Sequence, residues 1–252
     1  MMTGTLTSLA PLWIGCVFLL AGLVKGVVGM GLPTIAMGLL AVTLHPADAA
    51  ALLLIPSFVT NVWQLLTGPS FLMIARRLWM MMAGITVGTV AGAGLLTGPH
   101  STLAQTALGL ALALYAALGL CAFKFTVRPD RERWMSPVTG LVTGLITGAT
   151  GVFVIPAVPY LQALKLERDD LIQALGLSFT VSTIALAVGL FRQGMFTSTS
   201  QLGMSMLALA PALIGMLAGQ KLRERMSLET FRRAFFAGLL LLGCYLALEN
   251  AF

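Results

Sequence analysis

One lysine stands alone inside a long apolar run. Lys25 lies in GLVKGVVGMGLP, residues 22–33, within a run from Pro11 to Leu44 that holds no other charge. An ammonium at the centre of a membrane helix costs about 2.5–3.5 kcal/mol on insertion scales, so it seeks an anion, carbonyl oxygens or a water-filled cavity. Gly29, Gly31 and Pro33 follow it, and these residue types interrupt helices. A break exposes backbone N–H groups at the start of a half-helix, where negative charge is favoured. The lysine and such N–H groups together describe an anion site that includes Lys25, Gly29 and Gly31. The competing reading is that Lys25 reaches back to the membrane surface, since it lies fourteen residues into the run.

Other polar residues within apolar runs are candidates for the same cavity. In the first half of the chain they are Ser57, Thr60, Asn61 and Gln64; in the second, Thr143, Thr147, Thr150, Ser178, Thr180, Ser182 and Thr183. Asn61 weighs most, because an amide is costly to bury unpaired. The hydroxyl residues carry a plainer alternative, bonding back to their own helix. The candidate substrate-binding set is Lys25, Gly29, Gly31, Ser57, Asn61, Thr143, Thr147, Thr150, Ser178 and Ser182.

These residues need elements to hold them, and composition says which. Of 252 residues 58% are hydrophobic and only 10% charged, against about 25% charged in soluble domains. A lipid bilayer is the solvent this chain suits, and its backbone must then be helical or a closed barrel. The apolar stretches are continuous rather than alternating, which favours helices. The net charge of +6 reads as the basic bias of cytoplasmic loops rather than as a nucleic-acid surface. Cys16, Cys121 and Cys244 lie in apolar runs without metal-type spacing and read as small core hydrophobes. No metal or cofactor is implied. The first run lacks a basic leader and cleavage site, which predicts a retained segment.

Eight apolar runs are predicted: Pro11–Leu44, Ala49–Leu66, Leu78–Leu96, Leu103–Phe123, Pro137–Leu164, Leu171–Phe191, Ser200–Gly219 and Ala234–Leu248. The halves resemble each other. Gly22-Leu-Val-Lys-Gly26 matches Gly140-Leu-Val-Thr-Gly144, Ser57-Phe58 matches Ser178-Phe179, and Gly88–Gly92 matches Gly215–Gly219. The order is kept, which points to duplication and hence to a transporter-type architecture. The expected division is residues 1–123 as the first transmembrane repeat, 124–136 as a basic cytoplasmic linker, and 137–252 as the second repeat.

Charge counting then fixes an expected orientation. With single crossings throughout, one side holds Arg76, Arg77, Lys124, Arg128, Arg131, Arg133 and Arg192. The other holds Lys165, Arg168, Lys221, Arg223, Arg225, Arg232 and Arg233. That even split contradicts the positive-inside rule. If the first run of each half instead returns to the side it entered, only Arg192 remains opposite all the others. The halves become an inverted repeat of eight to ten membrane segments, with both termini periplasmic. Pro11–Leu44 is 34 residues, about 51 Å as a helix against a hydrocarbon core of about 30 Å, so it has length for a return. Gly148, Gly151, Pro156 and Pro159 supply breakers in the second half. Each first run is then a re-entrant hairpin or two tilted short helices; the alternative is a single long broken crossing.

GLVKGVVGMGLPTIAMGLL, its partner GLVTGLITGATGVFVIPAVPYLQ and the following ALGLSFTVSTIALAVG resemble the sulfite exporter TauE/SafE family, also called 4-toluene sulfonate uptake permeases. The resemblance covers the whole chain, with a departure at Met30, where members commonly carry a small residue. It implies a secondary transporter in the bacterial inner membrane moving small sulfur-containing anions, organic sulfonates or carboxylates. A passive anion channel is the alternative reading. A proton or sodium ion is the candidate coupling partner, and no residue identifies which; oligomeric state is not legible. An enzyme is not expected: His45 and His100 sit in links beside prolines, and no HExxH or GxSxG pattern occurs.

Overall fold

The computed structural model describes residues 2–98, 101–121, 125–195, 199–225 and 227–249; His100 and Lys124 fall outside them. The described residues form ten helices and no strand. They are α1 (Met2–Val28), α2 (Leu32–Leu40), α3 (Pro46–Leu66), α4 (Phe71–Thr97), α5 (Ser101–Leu120), α6 (Pro129–Thr150), α7 (Ala157–Ala163), α8 (Arg168–Arg192), α9 (Thr199–Arg223) and α10 (Leu228–Leu248). Seven of them are long and apolar enough to cross a membrane, by length and composition. α6 is not among those seven; its first turns carry Asp130, Arg131, Glu132 and Arg133.

The two long first runs are each divided in two. α1 stops at Val28, and Gly29 (φ +81°) and Gly31 (φ +108°) adopt left-handed backbone before α2 begins, a conformation that suits glycine because a side chain would be strained there. Pro33 sits in the first turn of α2, where its missing N–H costs nothing. α6 ends at Gly151 (φ +71°), whose N–H bonds to Thr147 O at 2.7 Å, and an extended segment leads to α7. Each divided run turns back. Trp13 Nε1 donates to Thr43 Oγ1 at 3.2 Å, joining α1 to the turn after α2. Val127 N donates to Ala163 O at 3.0 Å, joining the approach to α6 to the end of α7. The divided runs also touch one another: a Cβ on Gly151 would lie 2.9 Å from Met37 Sδ on α2.

Polar stretches contribute more helix than their composition suggests. Pro129–Ser136, in the middle of the chain's longest polar segment, forms the opening turns of α6. A proline near the start and Asp130 and Glu132 in the first turn favour a helix N-terminus. Arg76 and Arg77 lie in α4 and Arg232 and Arg233 in α10, since long basic side chains extend from a helix toward water. The cysteines correct an expectation. Cys16, Cys121 and Cys244 are exposed, not in the core. A surface facing lipid is itself apolar, so a small hydrophobe there loses nothing.

Glycine sets how the helices meet. α1 packs on α9 and α6 on α4, while α3 pairs with α8 and α5 with α10. A Cβ on Gly22 would lie 2.1 Å from Ala212 O, and one on Gly26 2.2 Å from Met216 O. Gly140 and Gly144 meet Met81 O and Ile85 O in the same way, at 2.1 and 2.3 Å. Backbones this close gain dispersion and weak Cα–H···O contacts, the form of helix association that works in lipid.

One amide ties the turn between α3 and α4. Gln173 on α8 is fully buried; its Nε2 donates to Leu65 O and Gly68 O, both at 2.7 Å, and its Oε1 accepts from Ser70 N at 2.8 Å. We expect Gln173→Ala to lower stability by about 1–3 kcal/mol, because buried backbone groups lose their partners. Thermal unfolding in detergent checks this, with Thr97→Ala, whose hydroxyl bonds only its own helix, as the near-neutral comparison.

Candidate functional site

Lys25 is 4% exposed, in the last turn of α1 just before the break. It is enclosed by the protein rather than extended to its surface. Its Nζ donates to Thr60 Oγ1 at 3.1 Å and to Asn61 Oδ1, both on α3. Asn61 Nδ2 in turn donates to Thr183 Oγ1 on α8 at 3.3 Å. Thr60 Oγ1 itself donates to Pro56 O at 2.7 Å, and Thr183 Oγ1 to Phe179 O at 2.7 Å. The ammonium therefore starts a chain of neutral hydrogen bonds linking α1, α3 and α8. No carboxylate within 4.0 Å pairs with it among the described residues.

The helical period explains why these side chains converge. Ser57, Asn61 and Gln64 are spaced four and three apart and share one face of α3; all are buried. Ser178 and Ser182 share a face of α8 in the same way, and α3 packs against α8. The hydroxyls of Ser57, Ser178 and Ser182 are buried and make no hydrogen bond among the described residues. Buried hydroxyls normally find a partner, so these three are unspent donors on α3 and α8, the helices that carry Asn61 and Thr183.

The remaining predicted residues lie on α6 or at the first break, and most serve the backbone. Thr143 is fully buried, its hydroxyl unpartnered among the described residues, on α6, which packs against α4 and also touches α8. Thr147 Oγ1 donates to Thr143 O at 2.8 Å, with Val152 O also in reach at 3.1 Å. Thr150 Oγ1 donates to Ile146 O at 2.6 Å and accepts from Val152 N at 3.2 Å. Both threonines thus finish the end of α6. Gly29 and Gly31 shape the break, and open space surrounds the place where a Cβ on Gly29 would stand. Gln64 is a structural tie, donating to Ile172 O at 3.0 Å.

Two residues emerge that the sequence did not single out. Thr34, in the first turn of α2, is fully buried with an unpartnered hydroxyl; its place directly after a Gly-Leu-Pro break was the available signal. Tyr115 on α5 is 3% exposed and donates to Met30 Sδ at 3.1 Å, holding the break from the far side. Nothing local in the sequence pairs residues 85 apart.

An apolar cavity of about 350 Å³ lies between α1, α2 and α10, lined by Val24 and Phe235 among others. A second, of about 390 Å³, lies between α3, α8 and α9, with Thr183 as its polar lining residue. Lys25 lines neither.

Among the described residues, all-helical architecture, with seven helices of membrane-crossing length and apolarity around a buried lysine, marks a multi-pass membrane protein. Residues 14–246 match the family described as Sulfite exporter TauE/SafE, so the chain belongs to that family of membrane transporters. No curated protein and no solved structure matches it.

Proposed function

We propose that the protein is a secondary transporter moving a small anion across the bacterial inner membrane by alternating access. The substrate class is a sulfur-containing anion or an organic sulfonate or carboxylate, in keeping with the family. One observation carries the reading: the Lys25 amine is buried among neutral acceptors, with no acidic partner among the described residues. The proposed site comprises Lys25 and Asn61 with the free hydroxyls of Ser57, Ser178 and Ser182. Gly29 and Gly31 shape the break beside it, and Thr143, Thr147 and Thr150 form the corresponding region of the second half. A proton or sodium ion is the candidate coupling partner.

In this reading residues 1–123 and 137–252 are inverted repeats joined by 124–136. Exchanging α1 with α6 and α4 with α9 turns the α1–α9 pair into the α6–α4 pair, while α3–α8 and α5–α10 map onto themselves. The glycine contacts of the first two pairs, and the return of each divided run, correspond in the same way. These correspondences support the inverted arrangement, as does the positive-inside rule, which single crossings throughout would violate.

The test is flux in proteoliposomes against a panel of sulfonates, carboxylates and inorganic sulfur oxyanions. Saturable, gradient-driven uptake is expected; currents at channel rates would refute the carrier. Orientation has its own expected result. Reporter fusions at either terminus should be active only on the periplasmic side, and a reporter between Arg128 and Pro129 only in the cytoplasm. A terminus found inside would sink the inverted repeat.

A further inference from the structure

We propose that the Lys25 site selects monovalent over divalent oxyanions of like size. The inference rests on the anion-site reading above and adds the charge the substrate must carry.

The observations are about charge balance. Lys25 is the one Lys or Arg well inside an apolar run, and the nine Asp and Glu all lie in or beside polar links or at the chain end. Its described partners, Thr60 and Asn61, are neutral, and Asn61 leads on to neutral Thr183. The ion pairs among the described residues, Arg77–Glu132, Arg128–Asp130 and Arg233–Glu229, lie at helix ends away from the junction. Protonated, Lys25 gives the junction one positive charge, with no second charged group paired to it among the described residues. Three donors are available on an ammonium, and Thr60 and Asn61 engage two, which leaves one N–H for an anionic oxygen. Ser57, Ser178 and Ser182 add neutral donors.

A monoanion bound there makes a neutral pair. A dianion leaves one negative charge uncompensated in surroundings walled by buried apolar side chains, and a buried charge without a partner is strongly disfavoured. Hydroxyls spread such a charge but do not cancel it. The substrate class is accordingly a compact oxyanion with one negative charge, such as a monosulfonate or monocarboxylate.

Methanesulfonate and sulfate test this, being similar in size and built on tetrahedral sulfur but differing by one charge. Binding of each to the purified full chain is measured calorimetrically at one pH and constant ionic strength. Methanesulfonate should bind at least about tenfold tighter. Sulfate's stronger hydration pushes in the same direction, so a second measurement isolates the site's own charge. Asn61→Asp places a carboxylate of the same shape against Lys25 Nζ. It should weaken methanesulfonate binding at least about tenfold more than Asn61→Ala does. Equal wild-type affinity for the two anions, or Asn61→Asp no worse than Asn61→Ala, overturns the inference and leaves the anion site standing. Failure of both anions to bind, or binding unchanged in Lys25→Ala, overturns the anion site and the inference with it.

Discussion

Lys25→Ala is expected to weaken anion binding by about 1.5–3 kcal/mol, the range for a hydrogen bond to a charged group. Flux at matched membrane expression should fall with it. The protein should stay folded. Removing a buried cation relieves a desolvation cost, and what it leaves is two neutral acceptors, Thr60 Oγ1 and Asn61 Oδ1. Lys25→Met keeps the length of the side chain and should behave alike, which separates charge from packing. Lys25→Arg should also impair transport. A planar, forked guanidinium does not fit where a compact ammonium bonds two neighbours one residue apart on α3. Substrate affinity, flux and thermal unfolding are measured together on the three variants. Unchanged affinity in Lys25→Ala would show that the lysine only ties α1 to α3, and the anion would have to be sought elsewhere.

Gly140→Ala should destabilise the protein by about 1–3 kcal/mol or more, as overpacking does in a well-filled interior. The new methyl carbon would stand 2.1 Å from Met81 O, with Met81 C at 2.9 Å. Both are backbone atoms, so no rotamer change relieves the clash, and α4 and α6 must separate. Gly15→Ala is the control. It lies within α1 with nothing within 4 Å of its Cβ position, and alanine is the better helix former by about 0.5–1 kcal/mol. Thermal unfolding in detergent should therefore move in opposite directions for the two variants. Equal shifts would mean that the α4–α6 contact is looser than the backbone distances require.

Much of this architecture was legible in the residues because lipid leaves the backbone few choices. Continuous apolar runs without internal charge have to become helices, since unpaired N–H and C=O groups are too costly there. Gly29, Gly31 and Gly151 marked where the runs divide, because the left-handed backbone found at each is open chiefly to glycine. The four-residue spacing of Gly22/Gly26 and Gly140/Gly144, read in the sequence as a repeat, coincides with contact faces, since only hydrogen leaves room for a neighbouring carbonyl. Lys25 stood out for the same reason that it matters: a charge in an apolar run needs an explanation.

What the residues did not disclose were the partners. Nothing local says that α1 lies on α9 and α6 on α4, or that Asn61 is the amide holding Lys25 while Gln64 ties α3 to α8. Nor could composition sort the hydroxyls. Thr147 and Thr150 spend theirs on the end of α6, whereas Ser57, Ser178 and Ser182 keep theirs free. The cysteines were misplaced because hydrophobicity means inside only where the outside is water. The amino-acid sequence by itself determined the solvent, the long helices, their breaks and the one lysine within an apolar run, all properties set by neighbours within a few turns. Which side chains meet that lysine was decided only by tertiary structure, because residues 35 to 122 apart are brought together by helix packing that no local pattern encodes.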